Sequence, residues 1–154
     1  MLHIVLYQPE IPPNTGNIIR LCANTGTALH LIHPLGFEMT KKSLRRAALD
    51  YKELTMVLNH NNLEEMKKHL PNKKYYAIST KGGTPLYKTR FNKGDILLFG
   101  NETKGLPKKV LSSEDCLGVI RIPMAKDSRS INLSNAVAIV LFEALRQLNY
   151  PRMV

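Results

Sequence analysis

Three polar segments of the sequence, each following a predicted strand, carry side chains that could do chemistry. The first, PPNTGNIIR, has an amide at Asn14 and a guanidinium at Arg20, near the start of a predicted helix. The second, FGNETKGLP, has a carboxylate at Glu102, shortly after Gly100. A glycine at the end of a strand lets a ligand approach the backbone closely. An amide, a cation and a carboxylate in such loops are suited to binding and orienting a polar substrate.

The third segment, IPMAKDSRSINLSN, places hydroxyl and amide side chains at the start of the most apolar predicted helix. These side chains belong to Ser130, Asn132 and Ser134. Taken singly, the residues of the three segments have plainer explanations, as a surface cation, a counter-charge for nearby lysines or a helix cap. Taken together they favour a site, because ligands of open parallel sheets bind outside the carboxyl ends of the strands.

Several familiar chemistries are excluded by the motifs that the sequence lacks. The turn after the first predicted strand, QPEIPPNTGN, has one glycine instead of the G-x-G-x-x-G of dinucleotide sites. The sequence has neither a G-x-x-x-x-G-K-[ST] loop nor a G-x-S-x-G elbow. A standard NAD enzyme and an NTPase are therefore not expected. No metal site is expected either, because His30 and His33 fall in a predicted strand.

The composition fits one globular domain, residues 1–154, with a basic surface. Hydrophobic residues make up 44% and charged residues 22% of the chain, which is typical of a folded protein. A net charge of +10 favours a polyanionic partner such as nucleic acid over a mere solubility effect. The cations cluster at 41–46, 73–74, 108–109 and 126–129.

Neither a signal peptide nor a membrane span is predicted. The start, MLHIVLY, lacks a basic region and a cleavage site, and the longest apolar run, AVAIVLF, is too short to cross a bilayer. A cytoplasmic protein without a membrane partner is expected. Cys22, placed among apolar residues, is predicted to be a small core residue.

Alternating apolar runs and amphipathic segments predict an α/β fold, with a parallel sheet flanked by helices on both faces. Strands are predicted at 2–7, 28–33, 53–58, 73–80, 95–100 and 118–123. Helices are predicted near 15–25, 41–51, 61–70 and 132–150, and a basic loop at 81–94. The last helix is apolar around most of its circumference, so it is either central in the fold or buried against a second copy of the chain.

The three segments, in this order and at these separations, resemble the signature motifs of the SPOUT superfamily of RNA methyltransferases. The resemblance extends over essentially the whole chain, and within the superfamily it is greatest to the tRNA (cytidine/uridine-34) 2′-O-methyltransferases. It implies a SPOUT-type sheet with a C-terminal trefoil knot, and a homodimer with the last helix in the interface. It also implies S-adenosyl-L-methionine as methyl donor and the wobble nucleotide, C34 or U34, of leucine tRNAs as the substrate.

The resemblance also implies roles for individual residues. The catalytic group comprises Asn14, Arg20, Glu102 and Asn132. The cofactor would be held around Ile78, Gly100, Ile122, Ser130 and Leu133. RNA phosphates would be bound by Lys41, Lys42, Arg45, Arg46, Lys81 and Arg129.

Within this scheme Arg20 would act on the ribose hydroxyl, with Asn14 positioning it and Glu102 fixing the loops or pairing with it. Guanidinium keeps its proton up to a pH of about 12, so stabilising the forming alkoxide or holding a phosphate is easier than acting as a base. Phe142 stands where the resemblance predicts a tyrosine, which removes a hydroxyl from the implied interface. The alternatives are the same chemistry on another nucleotide or on ribosomal RNA, and a non-catalytic RNA-binding module.

Overall fold

The computed structural model describes residues 1–39, 57–70, 74–151 and 153–154. Its strands are β1 (His3–Tyr7), β2 (Ala28–Ile32), β3 (Val57–His60), β4 (Tyr75–Ile78), β5 (Thr84–Pro85), β6 (Ile96–Phe99) and β7 (Cys116–Arg121). Its helices are α1 (Pro12–Thr25), α2 (Leu63–His69), α3 (Lys108–Leu111) and α4 (Leu133–Gln147).

The described strands form one sheet in the order β3-β2-β1-β6-β4-β7-β5, and neighbouring strands are parallel throughout. This confirms the predicted α/β class with a parallel sheet. The predicted loop at 81–94 was partly wrong, because it contains β5 and a 3-10 turn at Leu86–Lys88. Pro85 is tolerated in β5 because the strand lies at the edge of the sheet.

Most of the observed element boundaries agree with those predicted from the sequence, and the differences have local causes. Helix α1 begins at Pro12, three residues before the predicted start, because a proline in the first turn gives up only a hydrogen bond that would be missing anyway. It ends at Gly26, as predicted. Helix α2 is capped by Asn62, whose side chain accepts from the Glu65 amide. The predicted helix at 41–51 and the first part of the strand at 53–58 lie outside the described residues.

Two apolar layers cover the sheet. On one face α1 packs against α4, and their buried side chains include Ile18, Cys22 and Val137. Burial raises the pKa of Cys22 to about 12, so its thiol is an apolar filler, as predicted. On the other face α2 and α3 cover Tyr75, whose buried hydroxyl donates to the Val110 carbonyl at 2.8 Å.

Helix α4 is only partly covered by the described residues. Val137, Val140 and Leu141 are buried, whereas Ile139 and Phe142 are 41% and 42% exposed. The described part of the chain therefore leaves one side of the helix open. None of the helices in the described ranges has the length and apolarity needed to cross a membrane.

Histidines bridge the three strands at one side of the sheet. His30 lies between His3 and His60, with ring nitrogens 3.1 Å and 2.9 Å from theirs. Burial, reinforced by the neighbouring histidines, lowers the pKa of His30 to about 3, so it is neutral at pH 7. Within the described ranges, no three His, Cys, Asp or Glu side chains are grouped so that they could hold a metal ion.

The chain crosses itself where β4 leads into β5. Strand β7 lies between these two strands, so the connection 79–83 passes the carboxyl end of β7. The Ser79 amide donates to the Ile120 carbonyl at 3.0 Å. A Cβ atom on Gly82 would come within 2.6 Å of the Ile120 carbonyl carbon and 2.8 Å of the Val119 oxygen. Both are backbone atoms, so only glycine fits at this crossing.

The geometry of this crossing predicts that an alanine at position 82 lowers the stability of the protein and an alanine at position 83 does not. We expect Gly82→Ala to lower the free energy of unfolding by about 1–3 kcal/mol, because the methyl group overlaps backbone that cannot rotate away. Gly83→Ala is the matched control, since its Cβ would meet nothing within 4 Å, and we expect a change within about 0.5 kcal/mol. Urea denaturation measures both, and equal midpoints for the two variants would contradict the crossing geometry.

Candidate active site

A cavity of about 420 Å³ opens at the carboxyl ends of β4, β6 and β7. Its floor is formed where these strands end, at Ile78, Phe99 and Ile122. The loops that follow the strands and the start of α1 make its walls. The cavity therefore lies where the parallel-sheet rule predicts a ligand.

Glu102 ties the loop after β6 to the start of α1. Its Oε2 accepts from the Glu10 amide at 2.8 Å, and its Oε1 accepts from the Ile11 amide at 3.1 Å. The same Oε1 accepts from the Asn14 side chain, Nδ2, at 3.0 Å. A carboxylate can accept all three bonds because it carries about four lone-pair sites on two oxygens. The loop is thereby fixed against the helix start by a charged acceptor.

Asn14 and Asn132 extend this contact to the third polar segment. Asn132 Nδ2 donates to Asn14 Oδ1 at 3.0 Å, and Asn14 is only 5% exposed. Asn132 also caps α4, because its Oδ1 accepts from the Ser134 amide at 2.9 Å and hydroxyl at 2.7 Å. A continuous chain of hydrogen bonds, Glu102–Asn14–Asn132, therefore joins the three predicted segments around one cavity.

The loop after β6 folds back on itself to shape the cavity wall. Asn101 Oδ1 accepts from the Lys104 amide at 2.7 Å, and the Asn101 carbonyl accepts from the Gly105 amide at 3.1 Å. A Cβ atom on Gly100 would lie 2.2 Å from the carbonyl carbon of Gly105. Gly100 is thus required by the close return of its own loop, in addition to any approach of a ligand.

Most of the residues predicted for the site do line the cavity. The predicted cofactor residues that do so are Ile78, Gly100, Ile122, Ser130 and Leu133. The predicted catalytic residues that do so are Asn14, Glu102 and Asn132, and the predicted RNA contact Lys81 lies at the rim. The predicted residues that line the cavity therefore include members of all three polar segments.

Arg20 has a different position. It lies on the exposed side of α1, and the six residues that separate it from Asn14 turn it about 120° around the helix. It is not among the described residues that line the cavity. Asn14 bonds to Glu102 and Asn132, and its expected positioning of Arg20 stays a prediction.

The remaining predicted RNA contacts either do not line the cavity or lie outside the described residues. Arg129 is exposed in the loop that leads into α4, next to Ser130, which lines the cavity. Lys41, Lys42, Arg45 and Arg46 lie outside the described residues.

Sequence reasoning missed several residues of the cavity. The missed apolar lining residues include Ile11, Leu106, Leu111, Met124 and Ala136, and the missed hydroxyls are those of Ser79, Thr80 and Thr103. Beside the cavity, the Glu10 carboxylate, also missed, accepts from the Thr103 hydroxyl at 2.6 Å. Some of these residues follow strand ends and others, such as Leu111 and Ala136, lie in helices, so no single sequence signal distinguishes them.

The arrangement can bind an organic ligand of nucleoside size. The volume of the cavity lies in the range of small-molecule sites, roughly 300–1,000 Å³. The cavity combines apolar walls with backbone groups at the strand ends. Lys81 and Lys104 lie at its border and can attract a carboxylate or phosphate. The amide and hydroxyl groups at the start of α4 can orient a polar group beside it.

Known proteins are similar in sequence to this chain over nearly its full length. The tRNA (cytidine(34)-2′-O)-methyltransferase of Escherichia coli strain K12 is 53% identical over 154 residues, which cover 100% of this chain and 98% of that protein. The protein of the same name from Saccharophagus degradans is 51% identical over 150 residues, which cover 97% of each.

Solved structures share the fold. One, described as giving structural insights into the 2′-OH methylation of C/U34 on tRNA, is 45% identical, covers 97% of both chains and has a TM-score of 0.88. The SpoU methyltransferase AviRb from Streptomyces viridochromogenes, in complex with the cofactor AdoMet, is 25% identical with a TM-score of 0.81, covering 97% of this chain and 58% of that one.

The family model described as the SpoU rRNA methylase family matches residues 1–142. The matched part contains all three segments that the Glu102–Asn14–Asn132 chain holds around the cavity. The protein therefore belongs to the SpoU methylase family.

Proposed function

We propose that the protein transfers a methyl group from S-adenosyl-L-methionine to the ribose 2′-hydroxyl of the wobble nucleotide, C34 or U34, of tRNA. Leucine tRNAs are the expected substrates by the resemblance already described, and the cytoplasm is the expected compartment. The observation that carries the proposal is the hydrogen-bonded chain Glu102–Asn14–Asn132 around a nucleoside-sized cavity. Full-length relatives whose names state this activity support it.

The residues of the cavity fit the proposed cofactor. Ile78, Ile122 and Leu133 offer apolar contact for an adenine ring, and the strand ends beside Gly100 offer backbone donors and acceptors. Lys81 at the rim can pair with the carboxylate of the amino-acid part. When bound, S-adenosylmethionine supplies an electrophilic methyl group on a sulfonium. The named residues would hold it, and Ser130 would bind it or the ribose.

The protein's own task is to orient and activate an alcohol, which is a poor nucleophile at neutral pH. Orientation of two reactants can supply up to about 7–11 kcal/mol of the barrier. Asn132 is fixed by α4 and by Asn14, so its position at the cavity wall is well suited to orient the ribose. Glu102 keeps the loop after β6 in place. It thereby sets the distance between the residues proposed to hold the cofactor and those proposed to orient the ribose.

Arg20 would stabilise the negative charge that develops on the 2′-oxygen, or hold the adjacent phosphate. A guanidinium is a fixed cation suited to this role and too weakly acidic to serve as a general base. Because Arg20 lies outside the cavity of its own protomer, we propose that it acts in a homodimer, at the cavity of the other protomer. The exposed Ile139 and Phe142 of α4 support burial against a second copy.

The proposed fold includes the trefoil knot of the superfamily. The position of β7 between β4 and β5 supports it, because the last part of the chain must pass the connection that contains Gly82. The basic cluster at 41–46, together with Lys81 and Arg129, is proposed to bind tRNA phosphates. Such contacts fix position on the RNA and make binding dependent on salt.

A second candidate is ribose methylation of ribosomal RNA. The description of the matching family favours it, since that family is described by its rRNA methylases. The cavity is compatible with either RNA, because both present the same ribose hydroxyl. The identity of the methylated nucleotide decides between them.

The proposal predicts a defined product. We expect the purified protein, given labelled S-adenosylmethionine and tRNA that lacks the modification, to place one 2′-O-methyl group on nucleotide 34. Nuclease digestion and mass spectrometry locate the label. Label in ribosomal RNA alone would establish the second candidate, and cofactor binding without transfer to either RNA would contradict both.

The proposed role of Arg20 predicts a loss of turnover without a loss of the cofactor. Arg20→Ala should lower methyl transfer at least 100-fold, because a donor to a developing oxyanion typically contributes 10²–10³ in rate. Binding of S-adenosylmethionine, measured by calorimetry, should change less than about threefold, because Arg20 is proposed to act on the ribose oxygen or the phosphate and is not among the residues proposed to hold the cofactor. An active Arg20→Ala enzyme would overturn this role.

The contacts of Glu102 predict that its charge matters as well as its shape. Glu102→Gln keeps the size but offers one acceptor oxygen where the carboxylate uses two, so an amide N–H would face another donor. We expect the free energy of unfolding to fall by about 1–3 kcal/mol and cofactor binding to weaken about tenfold.

The matched control is Glu114→Gln, the same change at an exposed glutamate. It should leave both quantities unchanged. If Glu102→Gln and Glu114→Gln behave alike, the loop after β6 does not depend on the Glu102 contacts.

A further inference from the structure

The segment 81–94, between β4 and β6, is strongly basic. It carries four cationic side chains and no acidic one: Lys81, Lys88, Arg90 and Lys93. All four are exposed. Arg121 adds a further exposed cation beside the segment, since its partner across the sheet is Pro85. The site described above uses only Lys81.

Within this segment an aromatic ring is displayed to solvent. Tyr87 is 69% exposed, the largest exposed fraction recorded for an aromatic side chain in the described part of the chain. The ammonium of Lys88 lies 6.0 Å from the centre of its ring. Single exposed apolar residues are ordinary at protein surfaces. An exposed ring with a lysine ammonium beside it, in a segment with four cations and no acidic residue, is different, because it combines the two features that bind unpaired nucleotides.

The exposed residues are held by buried neighbours on either side. Leu86, Thr89 and Phe91 are 6%, 6% and 5% exposed and anchor the segment in the protein. The exposed residues Tyr87 and Lys88 therefore lie between the buried residues Leu86 and Thr89. Because the anchors are fixed, the ring and the cation are presented in a set arrangement.

The backbone of the segment is fixed by α4. Gln147 Nε2 donates to the Thr89 carbonyl at 3.0 Å, and Gln147 Oε1 accepts from the Phe91 amide at 3.0 Å. The Thr89 amide donates to the Leu86 carbonyl, also at 3.0 Å. A surface ordered before binding loses little conformational entropy on binding, which favours affinity.

We infer that Tyr87, Lys88 and Arg90 form a platform for single-stranded RNA, on which a base stacks on Tyr87 while the cations contact its phosphates. The inference rests on the proposed function and extends it to a second contact surface on the RNA. Lys81 lines the cavity, and Tyr87 lies six positions further along the chain. Six residues span at most ~20 Å, so unpaired nucleotides next to the methylated one are within reach.

The first test uses the absence of tryptophan from the sequence. Tyr87→Trp introduces one tryptophan and preserves a stacking surface. Its fluorescence should be quenched by a seven-nucleotide single-stranded RNA and not by a blunt RNA duplex of matched length. Quenching should weaken as salt is raised, since the cations release counterions. RNA bound at saturation, as measured by filter binding, without quenching would overturn the inference.

The second test separates the ring from its hydroxyl. Tyr87→Ala should raise the dissociation constant for the single strand roughly 5- to 100-fold, as expected for the loss of one stacked base. Tyr87→Phe, the matched control, should bind like the unchanged protein. The assembly state of both variants is measured by light scattering. A changed assembly state of Tyr87→Ala with unchanged RNA affinity would show that the ring contacts another protein chain instead of RNA.

The outcomes also separate this inference from the proposed function. Quenching by the single strand in a protein that methylates no RNA would retain the platform and contradict the proposed reaction. Methylation of nucleotide 34 with unchanged kcat/KM in Tyr87→Ala, and no quenching in Tyr87→Trp, would retain the reaction and contradict the platform.

Discussion

The carboxylate of Glu102 is the contact on which the site depends. It accepts from two backbone amides, those of Glu10 and Ile11, and from the Asn14 side chain, at 2.8–3.1 Å. These donors lie at the start of α1, where the helix dipole also favours a negative charge. Charge-assisted bonds of this kind are roughly twice as strong as neutral ones. One side chain thereby fixes the wall after β6 to the opposite wall of the cavity.

The amides of Asn14 and Asn132 continue this contact because an amide both donates and accepts. Asn14 donates to Glu102 and accepts from Asn132, while the Asn132 oxygen caps α4. An aspartate at position 14 would place an acceptor against the Glu102 carboxylate, and a leucine would remove one of the three donors of Glu102 and the acceptor of the Asn132 side-chain N–H. Buried Asn14 is hydrogen-bonded through both its side-chain nitrogen and its side-chain oxygen, and a network satisfied in this way stabilises a single geometry.

The sequence predicted the local features of this structure better than the relations between distant parts. Apolar runs located β1, β2 and β6, and Asn14, Glu102 and Asn132 were identified as site residues. Their mutual bonds could not be derived, because they depend on a strand order set by non-local pairing. β5 was missed since two residues, one of them Pro85, carry no periodic signal. The outward position of Arg20 follows from the spacing of six from Asn14, which turns it about 120° around α1, and this angle did not enter the prediction of the site.

The strand order also has a consequence for how the chain folds. β1 pairs with both β2 and β6, and His3 lies opposite Ile96, far along the chain. Chains dominated by such distant pairings have high contact order and fold slowly, because loop closure costs entropy before the contacts form. β7, which completes the cavity floor, must be placed between strands that precede it in sequence. The cavity floor therefore exists only when β7 has paired with β4, so a chain in which this pairing has not formed lacks the cavity.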